Sequence, residues 1–303
     1  MSGRGDGRQR AVLSAGPASA SAGAREVKLR SARLLGRDHH TLGALAAVAE
    51  GPAAITLSRG GAVKRYTHTE ANEDATLFAH DDGGTFVAVA DGHHGAAGAQ
   101  AVIAYLEAEW APRWTATAPL PPDEAGWSTE AMRALAGAND AVLADAARRG
   151  LPPAPTTLAL GIVRCGEERV LWAGIGDSHV FSVDGESATD LLKASLADRR
   201  TAFLGYETLD ARAIAGRSAA GLCPCTGLRA LVLATDGLSE TGIGVEEPER
   251  AVHEATLASA AVEPELRPLE LARRVSGAAL AAHRRHAAGD NIASAVVWLG
   301  DAR

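Results

Sequence analysis

From about residue 53 the chain is a succession of short apolar runs separated by acidic or glycine-rich turns. Residues 53–58 read as a strand. Residues 75–80 and 85–90 are two apolar runs joined by Asp81-Asp82-Gly83-Gly84, which predicts a hairpin. A helical period follows over 95–110, with Val102, Ile103, Leu106 and Trp110 on one face. The proline-rich stretch 112–122 reads as a loop. A second long helix is expected over 128–149, ended by Gly150. Strands are expected at 157–163, 169–174 and 179–183, then at 228–234 and 292–299. A third long helix is expected over 268–286. Residues 184–227 show no period. The helices do not alternate strictly with the strands, which disfavours a parallel doubly wound sheet and favours an antiparallel core with helices packed outside.

Residues 1–24 are Gly, Ser, Ala and Arg with little to bury, and read as a disordered basic tail. Residues 25–52 read as an N-terminal extension with a short helix within 30–50, and 53–303 as one catalytic domain. The composition of the 303 residues, 47% hydrophobic and 22% charged, is that of a soluble globular protein. A formal charge of -7 argues against nucleic acid as a partner. Three cysteines (Cys165, Cys223, Cys225) are too few for a disulfide framework and suit a reducing, cytoplasmic compartment. No apolar run reaches the ~18 residues of a membrane span. Cys223-Pro-Cys225 lacks the second ligand pair that zinc needs and reads as ordinary loop. His283 and His286, flanked by Arg284 and Arg285, read as a solvated helix face. Trp172 and Trp298 read as core.

One pattern changes the picture. Apolar runs end in Asp91-Gly92, Asp177-Ser178 and Asp236-Gly237, while Asn72-Glu73-Asp74 and Asp290-Asn291 stand just before runs. Any one of these is explained by ordinary turn chemistry, as Asp82-Gly83 and Asp184-Gly185 are. Together they can converge on one rim of a sheet structure. So many carboxylates repel one another unless a cation neutralises them. All-oxygen donors favour Mg2+, Mn2+ or Ca2+ over zinc.

In this order, Asn72-Glu73-Asp74-Ala75, Asp91-Gly92-His93, Gly176-Asp177-Ser178, Thr235-Asp236-Gly237 and Gly289-Asp290-Asn291 resemble the motif set of the type 2C metal-dependent protein serine/threonine phosphatases. Ala154-Pro155-Thr156-Thr157 and Thr201-Ala202-Phe203-Leu204-Gly205 resemble two further family segments. The resemblance spans about residues 53–300. It implies an α+β fold: a central sandwich of two antiparallel β-sheets flanked on both faces by pairs of α-helices, with a flap at about 184–226. It implies hydrolysis of phosphoserine and phosphothreonine by in-line attack of a water bridging two Mn2+ or Mg2+ ions. Asp91 would bridge the ions, Glu73 and the Gly92 carbonyl would complete one site, and Asp236 and Asp290 the other. Asp74 would hold a metal-bound water, Asp177 would serve a third, weaker metal, and His93 would be the general acid. The partners implied are a phosphorylated protein and a counterpart serine/threonine kinase, with a monomeric chain and no membrane.

Two positions depart from the family pattern. Thr69 stands where the family carries a phosphate-gripping Arg, and Lys64, Arg65 and His68 lie near it without the same spacing. His94 stands where the family usually has Gly. Two other readings stay open beside the active phosphatase: a pseudophosphatase acting as a phosphoprotein-binding regulatory module, and a related metallohydrolase acting on another phosphoester.

Overall fold

Strands that read as continuous apolar runs, rather than as alternating ones, are strands covered on both faces. The computed structural model bears this out for residues 29–300, excluding Thr67, Ala118, 197–200 and 207–209. The 1–24 tail lies outside the described residues. The first sheet contains β1 (Arg30–Leu35), β4 (Ala75–Asp81), β5 (Gly84–Ala90), β6 (Leu158–Arg164), β7 (Arg169–Ile175) and β10 (Ser218–Pro224), in the order β1-β4-β5-β6-β7-β10. The second contains β2 (Ala46–Glu50), β3 (Ala53–Ser58), β8 (His179–Val183), β9 (Ala188–Asp190), β11 (Ala230–Ala234) and β12 (Ile292–Trp298), in the order β2-β3-β12-β11-β8-β9. The pairings of both sheets are antiparallel.

The helices are α1 (Ala97–Tyr105), α2 (Ala111–Thr115), α3 (Glu124–Arg149), α4 (Leu191–Leu196), α5 (Ala211–Arg217), α6 (Pro248–Ser259) and α7 (Arg267–His286). A π-helical segment, Leu106–Trp110, links α1 to α2. Helices α1 and α3 cover the first sheet, and α6 and α7 cover the second. The fold is therefore the four-layer sandwich that the family resemblance implies. Its three apolar layers match this stacking. Leu77, Phe86, Leu160 and Leu171 face α1 and α3; Ile55, Val87, Leu231 and Val297 meet between the sheets; Val232, Val296, Leu271 and Val275 pack beneath α7. With few aromatics, the chain concentrates them: Trp114 lies 5.6 Å from Phe86 and 5.4 Å from Trp127, centroid to centroid. Trp127 is fully buried, and its indole N–H donates to the Trp172 carbonyl at 3.0 Å. Among the described residues, no helix is long and apolar enough to cross a membrane.

The structure corrects three expectations. Among its described residues the 25–52 segment holds no α-helix, only the short 3-10 helix Gly36–Asp38; it supplies β1 and β2, which lie at sheet edges. Its own pattern is weak because edge pairing, with Arg30 opposite His80 and Leu35 opposite Ala75, supplies the order through the backbone. The 184–226 region is not irregular throughout, since it contains β9, α4, α5 and β10. Strand β10 pairs with β7 from Ser218↔Ile175 to Pro224↔Arg169. Its sequence lacks β-branched residues, yet Gly221 is needed there: a Cβ would come within 2.7 Å of the Trp172 ring. Cys223 belongs to this strand and is a free thiol. Finally, the 112–122 stretch begins as helix α2 rather than as loop.

Because Trp127 fills the space between α3 and the first sheet, Trp127→Ala is expected to lower unfolding free energy by about 3–5 kcal/mol. Urea denaturation followed by circular dichroism measures this; a loss under about 1 kcal/mol would contradict the packing described.

Candidate metal centre

Antiparallel pairing decides where the acidic motifs go. In such a sheet the start of one strand lies beside the end of its neighbour. Ala75 at the start of β4 is opposite Ala90 at the end of β5, and Leu158 opens β6 opposite Ile175, which ends β7. In the second sheet, Ala234 ends β11 opposite Ser294 near the start of β12. Motifs before β4 and β12 and after β5, β7 and β11 therefore share one rim. The two sheets are tied there directly: the Thr235 hydroxyl donates to Asp74 Oδ2 at 2.8 Å, and accepts from the Ala293 N–H at 2.9 Å.

Each motif is held by its own backbone contacts. Asn291 Oδ1 accepts from the Glu73 N–H at 2.8 Å, and its amide donates to the Arg59 and Ala71 carbonyls at 3.1 Å each. The Asp91 N–H donates to Thr157 Oγ1 at 3.1 Å, and Thr156 Oγ1 donates to the Asp91 carbonyl at 2.7 Å. This is the structural work of the 154–157 segment. Gly92 has no room for a side chain, because a Cβ would lie 2.5 Å from the Glu73 carbonyl. The His93 N–H donates to the Pro155 carbonyl at 2.7 Å. His94 has φ 62°, a left-handed backbone that favours glycine, which explains why glycine is the easier residue there.

The result is a cleft of about 450 Å³ lined by Glu73, Asp91, Gly92, His93, His94, Asp177, Asp236 and Asp290, together with Lys64, Tyr66 and Glu240. Carboxylate oxygens of Asp91, Asp177 and Asp236 lie within 4.8 Å of one another. Asp74 sits behind the cleft, buried, with Oδ1 unpartnered among the described residues. Like charges ~4 Å apart repel by about 4 kcal/mol even at an effective dielectric of about 20. The carboxyls respond accordingly. Burial, reinforced by Asp290, pushes Asp74 up to about 7, against the pull of Lys64 and Thr235. Burial and the charges of Asp236, Asp74 and Asp290 push Asp91 well above the usual range. Burial and then Asp290 and Asp177 do the same to Asp236. An oxygen-only donor set that resists carrying its own charge, with an orphaned buried acceptor beside it, fits hard divalent cations.

His93 is one-third exposed at the cleft wall. Its ring lies 4.3 Å from that of Phe203, and Nδ1 lies 3.8 Å from Asp91 Oδ2. The 201–205 segment is held by the mutual backbone bonds of Thr156 and Leu204, and by the Gly205 N–H donating to Asn139 Oδ1 at 2.8 Å.

The three candidate phosphate ligands lie outside the cleft lining. Arg65 is exposed; His68 Nδ1 bonds to the Tyr66 carbonyl at 2.9 Å; Thr69 contributes its backbone N–H, 3.0 Å from Glu73 Oε1. The cation in the cleft is Lys64. Its side chain is 5% exposed, and Nζ lies 3.0 Å from Asp290 Oδ1 and 3.8 Å from Glu73 Oε2. Burial alone would lower its pKa, but Asp290, Asp74 and Asp91 outweigh burial and raise it. The Tyr66 hydroxyl donates to the same Asp290 oxygen, and burial with that carboxylate pushes its pKa up. Glu240 also joins the rim, one turn beyond Asp236, its pKa raised by burial and by Asp290 and Asp177. A Glu four residues after an Asp at a strand end was the available signal for Glu240; nothing in the spacing of Lys64 and Tyr66 marked them.

His283 is a further correction. It is fully buried, not solvated, and clamps two site loops. Nδ1 accepts from the Gly61 N–H at 3.2 Å, so Nε2 donates to the Gly237 carbonyl at 2.7 Å. Burial lowers its pKa, consistent with that neutral form. Trp172 and Trp298 are buried as expected.

A sequence profile described as Protein phosphatase 2C matches residues 61–276. No curated protein matches the chain. Among solved structures, a serine-threonine phosphatase 2C from Toxoplasma gondii is 14% identical, with a TM-score of 0.60 over 89% of this chain and 99% of its own. The Mycobacterium tuberculosis serine/threonine phosphatase PstP/Ppp is 21% identical, with a TM-score of 0.55 over 90% and 99%. A PstP catalytic domain in complex with two manganese ions is 22% identical, with a TM-score of 0.57 over 84% and 99%. At these identities the likeness is one of fold.

The raised carboxyls make a pH prediction for the metal-free protein. Between the ordinary carboxylate pKa of about 4 and the raised values, the folded state holds protons that the unfolded state releases. That stabilisation is complete below about pH 4 and is lost as pH rises through about 7. Melting temperature in chelator is expected to fall between about pH 5 and pH 8, and saturating Mn2+ is expected to flatten the slope. A metal-free protein whose melting temperature rises over that interval would contradict the assignment.

Proposed function

Because the chain belongs to the protein phosphatase 2C family, we propose that it is an active metal-dependent phosphatase, hydrolysing phosphoserine and phosphothreonine in a cytoplasmic phosphoprotein supplied by a serine/threonine kinase. The observation that carries this reading is the convergence of Glu73, Asp91, Asp177, Asp236 and Asp290, from five separated motifs, on one cleft beside His93. Glu73, Asp91 and the Gly92 carbonyl would hold one Mn2+ or Mg2+ ion, and Asp91, Asp236 and Asp290 a second. Asp177 with Asp236 would serve a third, and Asp74 would orient water. Such ions supply the charge that clamps phosphate oxygens and lowers the pKa of a water.

The rest of the chemistry belongs to side chains. His93 stands at the open wall of the cleft and would protonate the leaving serine or threonine oxygen as the P–O bond breaks. His93 Nδ1 lies 3.8 Å from Asp91 Oδ2 and the ring packs 4.3 Å from that of Phe203, which fixes where the imidazole stands at the cleft wall. The 154–157 segment, through Thr156 and Thr157, holds the Asp91 backbone still while this happens.

A second reading is favoured by one observation: Thr69 offers no guanidinium to a phosphate, and Lys64 is committed to Asp290. On that reading the chain binds phosphoproteins without turning them over. Turnover decides between the two.

Hydrolysis of a phosphoserine peptide is expected to require Mn2+ or Mg2+ and to vanish in chelator. Asp91→Asn and Asp236→Asn should each lower the rate by orders of magnitude, whereas Asp82→Asn, in the β4–β5 turn, should change it little. Full activity in chelator would sink the metal-dependent mechanism, and no activity in any metal would sink the enzymatic reading.

General acid catalysis is worth about 10²–10⁴-fold, and an alkoxide needs it more than a nitrophenolate does. His93→Ala is therefore expected to slow phosphoserine peptide hydrolysis strongly and p-nitrophenyl phosphate hydrolysis much less. Equal losses on both substrates would remove His93 from the proton-transfer role.

A further inference from the structure

The segment leading to the cleft is anchored at its base and committed at its tip. Gly60, at φ 114°, is pressed against the Asp290 backbone, and a Cβ on Gly61 would overlap the Leu280 carbonyl of α7. The Gly61 N–H is held by His283, and the Val63 carbonyl accepts from the Gly289 N–H at 3.2 Å. From this base the chain sends Lys64 inward, while Val63 and Arg65 on either side of it face solvent. The ammonium is buried between Asp290 and Glu73, and the Tyr66 hydroxyl closes over the same Asp290 oxygen. That oxygen also accepts from the Asn291 N–H at 2.7 Å. Lys64 is the one Lys or Arg among the described residues lining the cleft.

We propose that Lys64, closed over by Tyr66, is a tethered counter-cation of the carboxylate cluster, which a divalent ion must displace from Asp290 and Glu73 to bind. The inference rests on the reading of these carboxylates as metal ligands. An ammonium and a divalent cation cannot both draw on the same carboxylate oxygens in a buried site without repelling each other. Lys64 thereby neutralises part of the acidic cluster whenever no divalent ion is bound, and metal binding is coupled to its withdrawal. Arg65, one residue on but directed to solvent, has no part in this.

The chain contains three lysines, Lys28, Lys64 and Lys193, which makes amine labelling easy to map. Lys193 on α4 is exposed and serves as the internal reference. The 303-residue wild-type chain is treated briefly with an amine acetylating reagent, with chelator or with saturating Mn2+, and acetylation is read by mass spectrometry. Lys64 should be protected relative to Lys193 in chelator and label at least about tenfold faster in Mn2+, while Lys193 is unchanged. In parallel, Mn2+ affinity is measured by calorimetry. Removing a competing charge-assisted contact in Lys64→Ala should tighten Mn2+ binding about tenfold or more. Arg65→Ala, which also removes one positive charge, should shift it much less. Lys64 labelling as fast as Lys193 in chelator would overturn the proposal. So would Lys64 that stays protected in bound Mn2+, or Lys64→Ala that binds Mn2+ no better than wild type. If Mn2+ binds neither wild type nor Lys64→Ala, the metal-dependent reading itself fails. If it binds wild type while Lys64 stays protected, only the counter-cation fails. The labelling arm uses wild-type protein alone, so it holds even if the variant folds poorly.

Discussion

Mutual repulsion among carboxylates at one rim of the sandwich is the constraint around which the rest of the molecule is arranged. Asp74 and Asp91 are buried and Asp236 is half-buried, all within reach of one another's charge and of Asp290. A fold does not hold such a group together for its own stability, since charged carboxylates at these positions oppose folding. What holds them is the surrounding scaffold: the interlocked sheets, the Thr235 bridge to Asp74, the Asn291 side chain that fastens three loop segments, and the Thr156–Thr157 hydroxyls at Asp91. The molecule stores unfavourable electrostatics at one site and offsets it with apolar burial elsewhere.

That burial is organised in layers. One core lies between the sheets, and two others lie between each sheet and its helix pair. Strands with both faces buried can end abruptly in a charged residue, because the rim is where cover stops and water begins. The antiparallel order then collects strand starts and strand ends on the same side. The cleft lies where the rims of two sheets meet, so its ligands come from both halves of the sandwich, and its geometry depends on how the sheets are stacked.

Lys64 belongs to the same electrostatic problem, approached from the opposite sign. An ammonium with 5% exposure is unfavourable unless carboxylates surround it, and here they do. His283 links this side chain to the metal centre mechanically, since it ties the base of the Lys64 segment to the Asp236-Gly237 turn from its place on α7. A helix on the outer layer thus fixes the Lys64 segment relative to the Asp236-Gly237 turn.

The chain on its own determined the buried strands, the long helices and the acidic motifs, because these are local: each is written in a run of neighbouring residues or in a strand's last step before a turn. Asp91, Asp236 and Asp290 could be singled out for that reason, and the family resemblance followed from their order. The edge strands β1, β2 and β10 were not legible, since edge strands draw their order from a partner's backbone and need little apolar pattern of their own. Nor was the burial of His283, whose flanking arginines suggested solvent while α7's packing set the opposite face inward. The choice of Lys64 rather than Arg65, His68 or Thr69 as the cation inside the cleft was likewise decided only in three dimensions. Spacing along the chain says how far a residue is from Glu73, but the fold of the glycine-anchored 59–66 segment decides which side chain turns toward the carboxylates.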